Sequence, residues 1–145
     1  MTIAAILSGK GPEVVTVTAD ATVAAVVSVL VRRRIGAVPV LDGGSMVGIV
    51  SERDIVRALG EAGTGGPALP DRPVAAIMTA PVITIRPADS AVGALALMTD
   101  RRIRHLPVVD GGRLVGMVSI GDLVKRRIAE AEREASELKE YITTA

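Results

Sequence analysis

The sequence predicts a mixed α/β fold, α+β in arrangement, in which two copies of one strand-helix-strand-strand-helix unit face each other across a pseudo-twofold axis. Three observations carry that expectation. Residues 13 to 57 return without a gap as residues 81 to 125, with sixteen of the 45 aligned positions identical at a constant offset of 68. Within each copy the apolar residues switch from short β-branched runs to a helical spacing and back. With 145 residues, 49% of them hydrophobic, the chain has the size and apolar content of one globular body. Two copies are too few for a solenoid, which needs about three or more to bury a continuous core. A unit of about 60 residues would also be marginal by itself, so the copies are expected to close on one another.

The elements follow in order. Ile3 to Leu7 resembles Val74 to Met78 at an offset of 71, and each of these lead segments is expected to be a helical turn crossing to the other copy. Val14 to Val17 is β-branched and reads as a strand. Thr22, aligned with Ser90, suits the N-cap of a helix whose apolar residues Val23, Val26, Val27 and Leu30 recur at helical spacing, and which frays by Arg34. Ala37 to Leu41 and Met46 to Val50 are apolar runs joined by Asp42, Gly43, Gly44 and Ser45, a hairpin signal because glycine accepts positive φ. Ser51 then opens a second helix through Leu59. Gly60 to Pro73 is rich in helix breakers and reads as a mobile connector. After the second copy, Val124, Ile128, Ala131, Ala135, Leu138 and Ile142 form an a/d seam. That seam either packs back on its own domain or meets a second subunit. The resulting divisions are 1–60, 61–73, 74–128 and 129–145.

Composition excludes several functions. With one Tyr and no Phe or Trp, a flat ligand must be gripped by aliphatic side chains. Without cysteine there is no thiol catalysis, disulfide or Cys-bound metal, which is compatible with a reducing cytoplasm. The longest apolar stretch, Ala21 to Val31, is about half of a membrane span, and the arginines that follow it do not suit a signal peptide. A net charge of +1 argues against nucleic acid. Arg32, Arg33, Arg34 and Arg101, Arg102, Arg104 nevertheless cluster at matching places. They serve either as favourable charges at helix C-termini or as anion ligands.

The strings Gly48 to Asp54 and Gly116 to Asp122 share the pattern Gly-apolar-apolar-Ser-x-x-Asp. Ser51 with Asp54, and Ser119 with Asp122, match a capping box. Recurrence at a strand-to-helix junction adds a second reading. Free N–H groups at a helix N-terminus favour phosphate, an ionised carboxylate offers acceptors to ribose hydroxyls, and the glycine lets something approach the backbone closely. Rossmann, P-loop and His-Glu-x-x-His motifs are absent.

Together with Ile77-Met78-Thr79, Ile35 to Val40, Ile103 to Val108 and the paired Asp-Gly-Gly turns, these strings resemble a tandem pair of CBS domains, a Bateman module, over nearly the whole chain. The resemblance implies βαββα units packed sheet to sheet and two clefts for adenosine-containing ligands: AMP, ADP, ATP, NAD(H) or S-adenosylmethionine. It places Asp54 and Asp122 on ribose hydroxyls, Ser51 and Ser119 beside ribose or phosphate, and Ile49 and Met117 on the base. It also implies that Val15, Ile35 and Ala37 complete the Asp122 cleft, and Ile83 and Ile103 the Asp54 cleft. Arg104 and His105 stand where relatives place basic residues against phosphates, or His105 is an ordinary hydrogen-bonded side chain. Their counterparts Gly36 and Ala37 carry no charge, so the sites are expected to be unequal, or one to bind while the other stays empty. The expected protein is a cytoplasmic, non-catalytic sensor without a metal, a homodimer acting in trans on an unidentified partner protein. The alternative is a ligand-free interaction module with vestigial clefts.

Overall fold

The computed structural model describes residues 1–61 and 66–144. In chain order the elements are α1 (Ile3–Lys10), β1 (Val17–Thr18), α2 (Val23–Arg33), β2 (Ala37–Asp42), β3 (Ser45–Ser51) and α3 (Glu52–Glu61). After two short 3₁₀ turns, Leu69–Asp71 and Val74–Ala76, come α4 (Ala91–Arg101), β4 (His105–Asp110), β5 (Arg113–Ser119) and α5 (Ile120–Thr144). The α/β class and the paired repeat expected from sequence are present.

Each hairpin turns on two glycines at positive φ, Gly43 (58°) with Gly44 (83°) and Gly111 (57°) with Gly112 (79°). Two consecutive left-handed residues give the turn whose twist matches antiparallel strands. Both hairpins carry the same register shift, at Val40/Leu41 and at Val108/Val109, so the repeat is copied down to its irregularities. Thr22 and Ser90 cap α2 and α4 by accepting hydrogen bonds from Ala25 N (3.1 Å) and Gly93 N (2.9 Å). Both helices end one residue before an arginine in the left-handed conformation, Arg34 and Arg102.

The first strand is a correction. The extended pairing expected over Val14 to Val17 is confined to Val17–Thr18, parallel to Val40 and Leu41. Its counterpart in the second repeat is a single bridge from Ile85 to Val108. Val14 and Val15 instead line a cleft, so their side chains have a use other than extending the sheet.

Two cores hold the body together, and each is built from both repeats. Ile3 and Ile6 of α1 are buried with Ile85, Met98, Leu106, Val118 and Leu123 of the second repeat. Val74, from the second lead segment, is buried with Val26, Leu30, Val38, Val40 and Val50 of the first. Each such side chain contributes about 1.5–3 kcal/mol by leaving water. The expected crossing therefore locks the repeats by exchange of their lead segments. Matching bridges, Thr2 to Ser90 and Thr22 to Pro73, secure the exchange.

Of the flanking segments, the connector differs from the expectation. Leu69 of the connector is buried against α2, so this part is packed structure, while residues 62–65 lie outside the described residues. The tail seam does not fold back: α5 is anchored by buried Leu123, but Val124, Ile128, Leu138 and Ile142 are exposed.

Candidate functional site

Each hairpin delivers a serine at the end of its second strand, and the next residue begins a helix. Asp54 Oδ2 accepts from Ser51 N (2.8 Å) and Ser51 Oγ (3.1 Å), while Asp54 N donates back to Ser51 Oγ (3.3 Å). Ser119 and Asp122 repeat the arrangement, with Ser119 N donating to Asp122 Oδ2 (2.8 Å) and Asp122 N to Ser119 Oγ (3.1 Å). The capping box is thus real in both copies. It fixes each carboxylate at a helix N-terminus facing a cleft.

The two carboxylates differ in what else they hold. Asp54 is buried, and its Oδ1 also accepts from Thr79 Oγ1 (2.8 Å) and from the Arg57 guanidinium. Both of its oxygens are therefore used twice. Asp122 is partly exposed, and its Oδ2 takes a further bond from Lys10 Nζ at 2.8 Å. Lys10 Nζ also donates to the Met117 carbonyl (2.8 Å). Among the described residues, no hydrogen bond reaches Asp122 Oδ1. Burial pushes the Asp122 carboxyl up, but the Lys10 and Ser119 hydrogen bonds and the Lys10 charge hold it below the ordinary carboxylate value.

A cleft of about 280 Å³ opens at Asp54, lined by Ala37, Ile49, Ser51, Ile83, Ile103, Arg104 and His105 among the residues singled out from sequence. A second cleft, of about 400 Å³, opens at Asp122 and gathers Val15, Ile35, Ala37, His105, Met117 and Ser119. All thirteen candidates thus border one cleft or the other, and each cleft draws on both repeats. Ala37 and His105 border both, because β2 and β4 meet where Gly36 abuts the His105 ring. A Cβ on Gly36 would lie 3.0 Å from His105 Cε1. Burial, then the Arg104 charge, lower the His105 pKa from its ordinary value against the opposing pull of Glu52 and Asp122, which favours the neutral ring.

Several lining residues had no assigned role in the sequence reading. Lys10 ends α1 and Thr79 follows the second lead segment, while Arg53 and Arg57 come from the first turns of α3. Of the arginine clusters, Arg101, Arg102 and Arg104 border the Asp54 cleft and Arg34 the Asp122 cleft, whereas Arg33 pairs with Glu13 at 2.9 Å. The glycine of each motif also has a different occupant from a ligand. Gly48 faces Met78, and Gly116 faces Leu7, so what approaches the backbone is the other repeat's lead segment. Among the described residues, no cluster of three or more His, Asp or Glu could hold a metal ion, and no helix is long and apolar enough to cross a membrane.

Interlocked repeats with a carboxylate-bearing cleft at each strand-to-helix junction define a paired-repeat module with twin clefts. The chain belongs to the CBS-domain family: the CBS domain model matches residues 11–61 and 74–129. It is 36% identical over 130 residues to the mitochondrial CBS domain-containing protein CBSX3 of Arabidopsis thaliana, covering 86% of this chain and 62% of that protein. Among solved structures, a CBS-domain containing protein from Agrobacterium tumefaciens superposes with a TM-score of 0.82 at 37% identity, over 88% of this chain and 99% of that one. A CBS domain protein from Pyrobaculum aerophilum, solved complexed with AMP, matches with a TM-score of 0.72 at 32% identity, covering 84% of this chain and 89% of that one.

Proposed function

We propose that the chain is a non-catalytic regulatory module that binds an adenosine-containing ligand between its repeats and acts in trans on a partner protein. The observation that carries this reading is the free Oδ1 of Asp122, held by a capping box at the mouth of a cleft walled by Val15, Ile35 and Met117. A ribose diol supplies the donors this oxygen lacks. The aliphatic walls suit the faces of a purine, and Ser119 stands beside the sugar. The Asp54 cleft repeats the plan with Ile49, Ser51, Ile83 and Ile103, but a sugar there must displace Arg57, whose half-exposed side chain is free to turn to a phosphate. AMP, ADP, ATP, NAD(H) and S-adenosylmethionine all present the adenosine. The AMP bound by the Pyrobaculum relative supports the class. A chain without cysteine is compatible with a reducing cytoplasm.

A ligand bridging the repeats at about 100 times its dissociation constant adds about 2.7 kcal/mol to the folded form. It can shift a partner only by its difference in affinity for two orientations of the repeats. Calorimetric titration with the five ligands is the test. Binding of at least one is expected, with Asp122→Asn weakening it about tenfold or more through the lost charge-assisted hydrogen bond. No heat with any of them, together with unchanged melting, overturns the proposal.

The exposed seam of α5 favours a second reading, a homodimeric interaction module whose clefts do not bind. In that case the chain associates with itself at the same concentration with or without every nucleotide.

A further inference from the structure

The two clefts differ sharply in charge. Arg53 and Arg57 of α3 and Arg101, Arg102 and Arg104 of the second repeat all border the Asp54 cleft, against the single carboxylate of Asp54. The Asp122 cleft is lined by Lys10, Arg34, Glu13 and Asp122; Lys10 pairs with Asp122 and Glu13 with Arg33 outside the lining, which leaves Arg34 as its one cation without an ion pair among the described residues. The repeat itself records this asymmetry. At the offset of 68, Arg53 corresponds to Gly121 and Arg104 to Gly36, whereas Arg57 keeps a cation, Lys125.

The positions of these cations also differ. Arg53 Nη1 donates to the Arg102 carbonyl at 2.6 Å, which holds α3 of one repeat against the end of α4 of the other. Arg53, Arg102 and Arg104 form no ion pair among the described residues; Arg57 pairs with Asp54, and Arg101 with its exposed neighbour Asp100 at 3.9 Å. Three guanidinium groups therefore meet at one cleft mouth with their charge unspent. In the other cleft, Lys10 is neutralised by Asp122 at 2.8 Å.

We propose that the clefts sort adenosine ligands by phosphate count: the Asp54 cleft takes a di- or triphosphate, and the Asp122 cleft takes a ligand with one phosphate or none. This rests on the adenosine reading above and assigns a ligand class to each cleft. Guanidinium forks pair with phosphate oxygens in two parallel hydrogen bonds, and the three here without an ion pair leave an excess that a monophosphate cannot satisfy. Turning to the chain's end of a polyphosphate, Arg57 would also release Asp54 for the sugar. In the Asp122 cleft a first phosphate finds Arg34, and further phosphates find no other cation free of an ion pair among the described residues.

The test is calorimetry of the full chain with inorganic tripolyphosphate, ATP and AMP at low and high salt, for wild type, an Arg53→Gln/Arg104→Gln double variant and Arg34→Gln. Arg53 and Arg104 are exposed, so the double variant is expected to fold, melting slightly below wild type because the Arg53 hydrogen bond to the Arg102 carbonyl is lost. Tripolyphosphate should bind wild type, and the double variant should weaken both tripolyphosphate and ATP about tenfold or more while AMP moves by less than about threefold. Arg34→Gln should leave tripolyphosphate unmoved, and salt should weaken ATP more than AMP. Tripolyphosphate that fails to bind wild type, or binds the double variant equally well, overturns the proposal, as does an AMP loss equal to that of ATP. If tripolyphosphate binds as expected while neither nucleotide does, the nucleoside reading fails and the arginine cluster stands as a polyanion site.

Discussion

Lys10 shows how one residue sets the character of a cleft. It belongs to the stretch between lead segment and first strand, where the first copy is three residues longer than the second, so it has no counterpart in the repeat. It reaches Asp122 and the Met117 carbonyl across more than a hundred residues of chain. Replacing it by methionine keeps the length and removes the charge. The ion pair is partly exposed, with side chains 40% and 24% accessible, so the cost at neutral pH should be about 0.5–1 kcal/mol after solvent screening. The acid dependence has a definite sign. Burial raises the Asp122 pKa, but the Lys10 and Ser119 contacts outweigh it and leave the folded value depressed. A depressed carboxyl contributes stability above its unfolded pKa, and that stability is lost as pH falls through the folded one. Urea unfolding of Lys10→Met should therefore show a shallower loss between neutral and acid pH than wild type. Parallel curves for the two proteins would deny Lys10 this role.

At the scale of elements, the lead segments make the two repeats one body. Each slides a side chain over the glycine of the other repeat's second strand: a Cβ on Gly48 would lie 2.8 Å from Met78 Cγ, and one on Gly116 would lie 2.6 Å from Leu7 Cδ2. Gly48→Ala and Gly116→Ala should each cost about 1–3 kcal/mol by overpacking, lowering the melting temperature by roughly 2–4 °C per kcal/mol at this chain length. Gly9, inside α1 with nothing within 4 Å of its would-be Cβ, is the control. Gly9→Ala should stabilise by about 0.5–1 kcal/mol through helix propensity alone. If all three variants melt alike, the lead segments do not press on those strands. The hairpins, the caps and both Ser-x-x-Asp boxes were legible because each depends on residues close in sequence and occurs twice. Lys10 and Thr79 were not, since their partners are set by the exchange of lead segments. Arg53 and Arg57 had no role in the sequence reading, because only the fold brings α3 against the end of α4. Val14 and Val15 were read as strand because a β-branched run does not reveal whether it faces a sheet or a cleft.

At the scale of the whole molecule, both cores and both clefts are complete by Leu123, yet α5 continues to Thr144. At about 1.5 Å per residue its 25 residues extend about 37 Å, and from Ala131 onward every described residue is exposed. Helices in water draw most of their stability from packing an apolar face. Here that face, with Ile128 54%, Leu138 61% and Ile142 67% exposed, has no partner among the described residues. Its spacing suits a second copy of the same helix, with Ala131 and Ala135 allowing close approach. Arg133 and Glu137, 3.9 Å apart, flank the stripe as solvated charges. Light scattering should therefore give the full chain the mass of a dimer, and deletion of residues 129–145 should shift it toward a monomer. The same deletion should leave the melting temperature of the folded body within about 2 °C at protein concentrations where both forms are monomeric, since neither core loses a side chain. Nucleotide titrations of the shortened chain then separate the functions. Unchanged ligand binding by a monomer would assign sensing to the clefts and assembly to the tail, whereas a dimer that survives the deletion would remove α5 from the interface.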